Sequence, residues 1–189
     1  MTIRRGRLSR LLGWYVKLKI RFRKHRKRYV EVATEILRET IDGRLDTSYS
    51  TLFPLVTAYF TLKFDYKRDP LFGLLDRLYD IDVFVERGGG DCDDFAFAIG
   101  RVLSLLGEVY RFKVYFVTAI GPIREMAKWH TFVVVETSRY HILSPYTYLG
   151  VVNTMNEAVE AVAKHFETRY TNYYAISFDD PCIKGGEVK

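Results

Sequence analysis

The stretch RGGGDCDDFAFAIGRVLSLLG, residues 87–107, constrains this chain more than any other part of it. Three consecutive glycines favour a flexible loop. The residues after them are patterned for a helix: Phe95, Ala98, Ile99, Val102, Leu105 and Leu106 fall on one face. Asp91, Asp93 and Asp94 crowd the start, where the helix dipole favours anions. Gly107 stands where the helix is expected to end. Between the loop and the helix sits Cys92.

The rest of the chain has to pack around that helix. Downstream, KVYFVTAI, HTFVVVE and RYHILS are rich in β-branched and aromatic residues and predict three strands, the last two joined by a tight turn at Thr137–Ser138. TMNEAVEAVAKHFETRY opens with Thr154 and has Glu157 three residues on, the capping-box pattern of a helix start. NYYAISF predicts a last strand before a polar tail, DDPCIKGGEVK. Upstream, Leu8, Leu11, Leu12, Tyr15, Leu18, Phe22, Tyr29, Val32, Ala33 and Ile36 recur at helical steps, with a break near His25 and Arg26. They predict one long helix or two in tandem over 8–40, of which the part from Tyr29 on looks like ordinary domain helix. Residues 46–62 admit two readings, because Pro54 can open a helix or interrupt one. A turn is expected in FDYKRDPLFG and a short helix at LLDRLYD. Helices followed by a β-meander make an α+β fold, divided into a helical segment 1–40, a domain 41–180 and a tail 181–189. At 189 residues the chain can bury a sizeable core, and two cysteines exclude a disulfide framework.

Charge is segregated. Residues 1–28 hold 12 Lys/Arg and no acid, which leaves 29 − 12 = 17 basic against 23 acidic groups, a net of −6, over the remainder. The basic segment has three readings. It is a solvated helix face, an arm for nucleic acid or an acidic partner, or an amphipathic helix lying on an anionic membrane with Trp14, Tyr15 and Phe22 inserted. No base-reading motif accompanies it, so contact with nucleic acid is expected to be sequence-independent and salt-dependent. Lys17 and Lys19 interrupt the apolar stretch LLGWYVKLKI, and no cleavage-site pattern follows it. Neither a secretory signal nor a spanning helix is expected, and the reading is cytoplasmic.

Cys92 at a helix start is placed for chemistry. The dipole and free N–H groups there stabilise a thiolate, and the same donors, that of Cys92 included, can hold an oxyanion. Gly88, Gly89 and Gly90 offer room for a substrate backbone. A nucleophilic thiol needs a base, and His130 at the head of a strand is the best candidate. With a two-residue turn, Glu136 pairs with Arg139 and His130 falls opposite Pro145, so its orienting group should come from residues 143–146. No carboxylate stands there. Ser144 takes that position, with Tyr146 nearby. His141 is expected to face away from His130, and His25 and His165 to be solvated. Cys182 reads as a bystander, and Asp179 and Asp180 are a remote alternative as a substitute carboxylate.

GGGDCDDFAFAIGRVLSLLG, WHTFVVVE and RYHILSPY, in this order, resemble the transglutaminase-like cysteine-enzyme superfamily. The pattern is a Gly-Asp-Cys at a helix start, a His leading a strand, and an Asp-Pro ending the next. The acidic form GDCDD looks most like versions in bacteriophages and in bacterial transglutaminase-like cysteine peptidases, as does the lead-in FDYKRDP; the resemblance covers about residues 60–150. It implies a papain/transglutaminase-like core in which a Cys-bearing helix packs on an antiparallel sheet. It implies Cys92 as nucleophile, His130 as general base, Ser144-Pro145 in the Asp-Pro position, and a protein or peptide substrate attacked through a thioester. It implies no cofactor, although in some relatives acids flanking the Cys bind calcium, a reading that Asp91, Asp93 and Asp94 keep open. The serine is a departure from the pattern: it accepts a hydrogen bond but cannot stabilise an imidazolium as a carboxylate does. That favours the alternative expectation of a catalytically weak, virion-type accessory protein with a basic arm.

Overall fold

Two consecutive strands in the second half of the chain are apolar on both faces, and such strands need cover on both sides. The structure, a computed structural model, describes residues 26–42, 48–68, 78–122, 129–179 and 183–188. Strands β3 (Lys113–Ile120) and β4 (His130–Glu136) are buried along almost their whole length and form the centre of a sheet. It has six strands in the order β6-β5-β4-β3-β7-β8, every neighbouring pair antiparallel. Here β5 is Tyr140–Ser144, β6 is Thr147–Val152, β7 is Asn172–Ser177 and β8 is Ile183–Glu187. β3 to β6 run as a meander; helix α5 (Met155–His165) then carries the chain back so that β7 pairs on the other side of β3.

Helices cover both faces. On one, helix α4 (Cys92–Tyr110) lies across β3 and β4, with α1 (Arg26–Asp42) and α2 (Tyr49–Lys63) beside it. Their side chains share a core with Val114, Phe116, Val133 and Val135 of the sheet. On the other, Ala158, Val159 and Val162 of α5 pack on Tyr115, Val117, Phe132 and Val134. The fold is α+β, with helices on a six-stranded antiparallel sheet. The stripe Tyr29, Val32, Ala33 and Ile36 is buried, which joins α1 to the core of the domain. Residues 1–25 lie outside the described residues, and with them most of the basic segment. Among the described residues no helix is long and apolar enough to cross a membrane.

Several expectations are corrected. Pro54 lies inside α2 rather than at its start. The carbonyl it deprives of an N–H belongs to the exposed Ser50, while Leu52, Phe53, Val56 and Phe60 are buried; burial outweighs the missing bond. A helix not foreseen, α3 (Ile81–Arg87), is capped by Asp80; of LLDRLYD, residues 78–80 precede it and 74–77 lie outside the described residues. α4 runs past Gly107 to Tyr110 and ends on Arg111 in the left-handed region, φ 59°. Two strands of the large sheet were not foreseen. β6 follows the turn at Pro145, and β8 forms within the tail by pairing with β7.

Candidate active site

The direction of α4 brings the expected site residues to one end of the sheet. α4 ends two residues before β3 begins, and Phe97 meets Phe116 while Ser104 bonds Asp179, a neighbour of the residue paired to Val114. β3 therefore returns antiparallel to the helix, and its far end lies beside the helix start. There Ala119 pairs with His130. The first turn of α4 touches the β5–β6 turn through Phe95 and Tyr146, ring centroids 5.2 Å apart. Cys92, His130 and Ser144 thus share this end.

The loop before Cys92 is ordered by a built-in support. Strands β1 (Asp65–Tyr66) and β2 (Gly89–Gly90) form a two-residue parallel pair. Gly88 ends α3 at φ 68°. A Cβ on Gly89 would stand 1.9 Å from the Asp65 carbonyl oxygen, and one on Gly90 2.3 Å from Asp94 Oδ2. The room at these two glycines is filled by the protein's own chain, which corrects the expectation that it serves a substrate backbone. Asp94 is 1% exposed and takes backbone N–H bonds from Tyr79 at 2.7 Å and Asp91 at 3.4 Å. Asp91 accepts from Asp93 N in return, so the two acids close a reciprocal cap on the helix start.

Cys92 is half-buried and is not in a disulfide. The carboxylates of Asp91 and Asp93 lie within 4.8 Å of its sulfur and of each other. Their charge opposes the pull of the helix dipole on a thiolate. Calcium takes about six to eight oxygen ligands, and this group offers two carboxylates and a sulfur.

His130 Nε2 and Ser144 Oγ are 3.0 Å apart, and Ser144 is 1% exposed. The hairpin register explains why they meet. The turn has three residues instead of two, so Glu136 pairs with Tyr140 and Val133 with Leu143. One extra residue reverses which face each β5 side chain occupies. The observed register puts Ser144 on the same face as His130 and Phe132; the expected one would have turned it away. His141, on the opposite face, is buried against Phe53 and bonded to Tyr148 and Thr137, as expected of a local packing residue.

Strand alternation also has a consequence for Cys92. Val133 and Val135 point at α4, so His130 belongs to the α5 face. The thiol has to approach it around the end of the sheet rather than through its face. The His130 ring is enclosed by Phe132 and by Phe166, whose centroid is 4.2 Å away. Burial, with His165 as a further cause, lowers its pKa from 6.5 to about 4. His165 itself is exposed, as expected.

Three aromatic residues near the site were not foreseen. Tyr66 and Tyr170 both lie within electrostatic reach of the Cys92 thiol, and burial with that charge holds their hydroxyls protonated. Tyr66 leans on Tyr146, and both are exposed at the mouth of the site. Phe166 had a signal: it continues the stripe Ala158, Val159, Val162 by a step of four. Asp179 bonds Ser104, three turns along α4 from Cys92, which removes it as a substitute carboxylate. Asp180 and Cys182 lie outside the described residues. Comparison with protein-family models, with curated proteins and with solved structures finds no match for this chain.

Proposed function

We propose that the chain is a cysteine amidase or peptidase of papain/transglutaminase-like architecture, with Cys92 as nucleophile, His130 as base and Ser144 as the group that orients the imidazole. The observation that carries this reading is the His130 Nε2–Ser144 Oγ contact at the sheet end where the Cys92 helix starts. With Nε2 engaged, Nδ1 is the nitrogen left for a thiol. In the first half-reaction Nδ1 takes the proton from Sγ as sulfur attacks the carbonyl carbon of an amide. The oxyanion develops at the positive end of the α4 dipole. Collapse breaks the C–N bond, the leaving amine takes the proton from Nδ1, and a thioester remains. Water, losing a proton to Nδ1, then attacks the thioester; collapse breaks the C–S bond, Nδ1 returns the proton to Sγ, and the acid departs. Tyr66 and Tyr146 flank the thiol as aromatic walls for the acyl group.

The test is labelling by a thiol-reactive acyl probe at pH 7, with Cys182 as internal control. Cys92 should react well ahead of Cys182, and His130→Ala should slow it by at least about 100-fold, the lower range for a lost general base. Equal labelling of the two cysteines, indifferent to His130→Ala, would leave the second reading. In that reading the fold is kept by an accessory protein without catalysis. It is favoured by the depressed pKa of His130, since an efficient base titrates near working pH.

Residues 1–28 add a separate contact with a polyanion in both readings. A chain lacking residues 1–25 should lose salt-sensitive retention on heparin, because each phosphate-like contact releases counterions. Retention equal to that of the full chain would remove the arm from the proposal.

A further inference from the structure

The end of α5 bears on His130 in a way that the proposed chemistry has not used. Phe166 caps the helix, its N–H still bonded to the Val162 carbonyl, and Glu167 then turns the chain at φ 48°. The Phe166 side chain is 43% exposed, so the core does not depend on it. Its ring instead rests on His130 at 4.2 Å with the planes tilted by 50°. Phe132 lies on the same strand face at 6.4 Å, nearly parallel to the imidazole. Ser144 Oγ holds one edge.

We propose that Phe166 is a positioning residue: its ring clamps the imidazole of His130 against Ser144 and keeps water from their hydrogen bond. A single bond to Nε2 fixes one atom and leaves the ring free to rock about it. A tilted ring in contact at 4.2 Å restricts that rotation, and excluding water strengthens the bond it covers. The inference rests on the proposed role of His130 in the site. The low pKa of that residue accords with it, burial being the main cause. Among the described residues the titratable group acting on the ring is His165 of α5, and from the sheet the ring meets Phe132 and Ser144.

The experiment is an NMR titration of the His130 imidazole in the full chain, comparing wild type with Phe166→Ala, Phe166→Leu and Phe166→Tyr. Opening the clamp should raise the pKa of His130 from about 4 towards 6.5, a change of at least about tenfold in its protonation equilibrium for Phe166→Ala. Phe166→Leu should give a smaller rise and Phe166→Tyr should titrate like wild type. The pH profile of Cys92 labelling should move with the same series. A titration unmoved in both Phe166→Ala and Phe166→Leu overturns the clamp. If the titration moves but wild-type Cys92 shows no selective labelling, the clamp stands and the enzymatic reading fails.

Discussion

Gly90→Ala is expected to lower the unfolding free energy by about 3 kcal/mol or more, a large share of the stability of a domain this size. The added Cβ would stand 2.3 Å from Asp94 Oδ2 and 2.5 Å from Asp94 Cβ. Asp94 has nowhere to retreat, because it is 1% exposed and holds the N–H groups of Tyr79 and Asp91. Overpacking of this kind costs about 1–3 kcal/mol. Pushing the carboxylate aside also breaks its bonds to two half-buried N–H donors, at up to about 1–3 kcal/mol each. Urea unfolding of Gly90→Ala against wild type measures the sum. Gly185→Ala is the control: like Gly90 it lies outside the positive-φ region, and its Cβ would meet only the Tyr173 carbonyl oxygen at 3.4 Å. If both variants lose the same amount, the support under Cys92 is not the reason for the glycine.

Acid should destabilise the protein through His130 by up to about 3 kcal/mol. Its folded pKa of about 4 lies below the ordinary 6.5. Between those values the unfolded chain binds a proton that the folded chain does not. The stability His130 contributes is therefore present above pH 6.5 and is lost as pH falls towards 4. His141, also lowered by burial, adds a change of the same sign. The difference between wild type and His130→Gln isolates the one residue. Unfolding free energies at a series of pH values from 7.5 to about 4 should fall more steeply for wild type than for the variant. Parallel curves would mean that the imidazole titrates as it does in the unfolded chain.

Helix α4, the buried stripe of α1, strands β3, β4 and β5 and the Thr154 cap were legible because each rests on local pattern. Phe95, Ile99 and Val102 announce a helix face, and runs such as VYFV and FVVV can only be strands with cover. β6 was not legible: Tyr148, Leu149, Val151 and Val152 are all half-buried, so no alternation marks them. β8 reads as tail because Lys184, Gly185 and Gly186 have no propensity for a strand; the open edge of β7 makes it one. The glycines before Cys92 read as a flexible loop, and their close contacts with Asp65 and Asp94 have no local signature.

For the candidate site the division is sharper. That Cys92 opens a helix, that His130 heads a strand and that Ser144 ends the next followed from the chain alone, since each depends on neighbours a few positions away. Whether Ser144 faces the imidazole depended on one residue in a hairpin turn, and so on how two strands pair. The approach of Phe166 from a helix 36 positions further on, and the enclosure that keeps His130 neutral, came only from packing, because no local pattern encodes which distant ring will exclude water from a given atom.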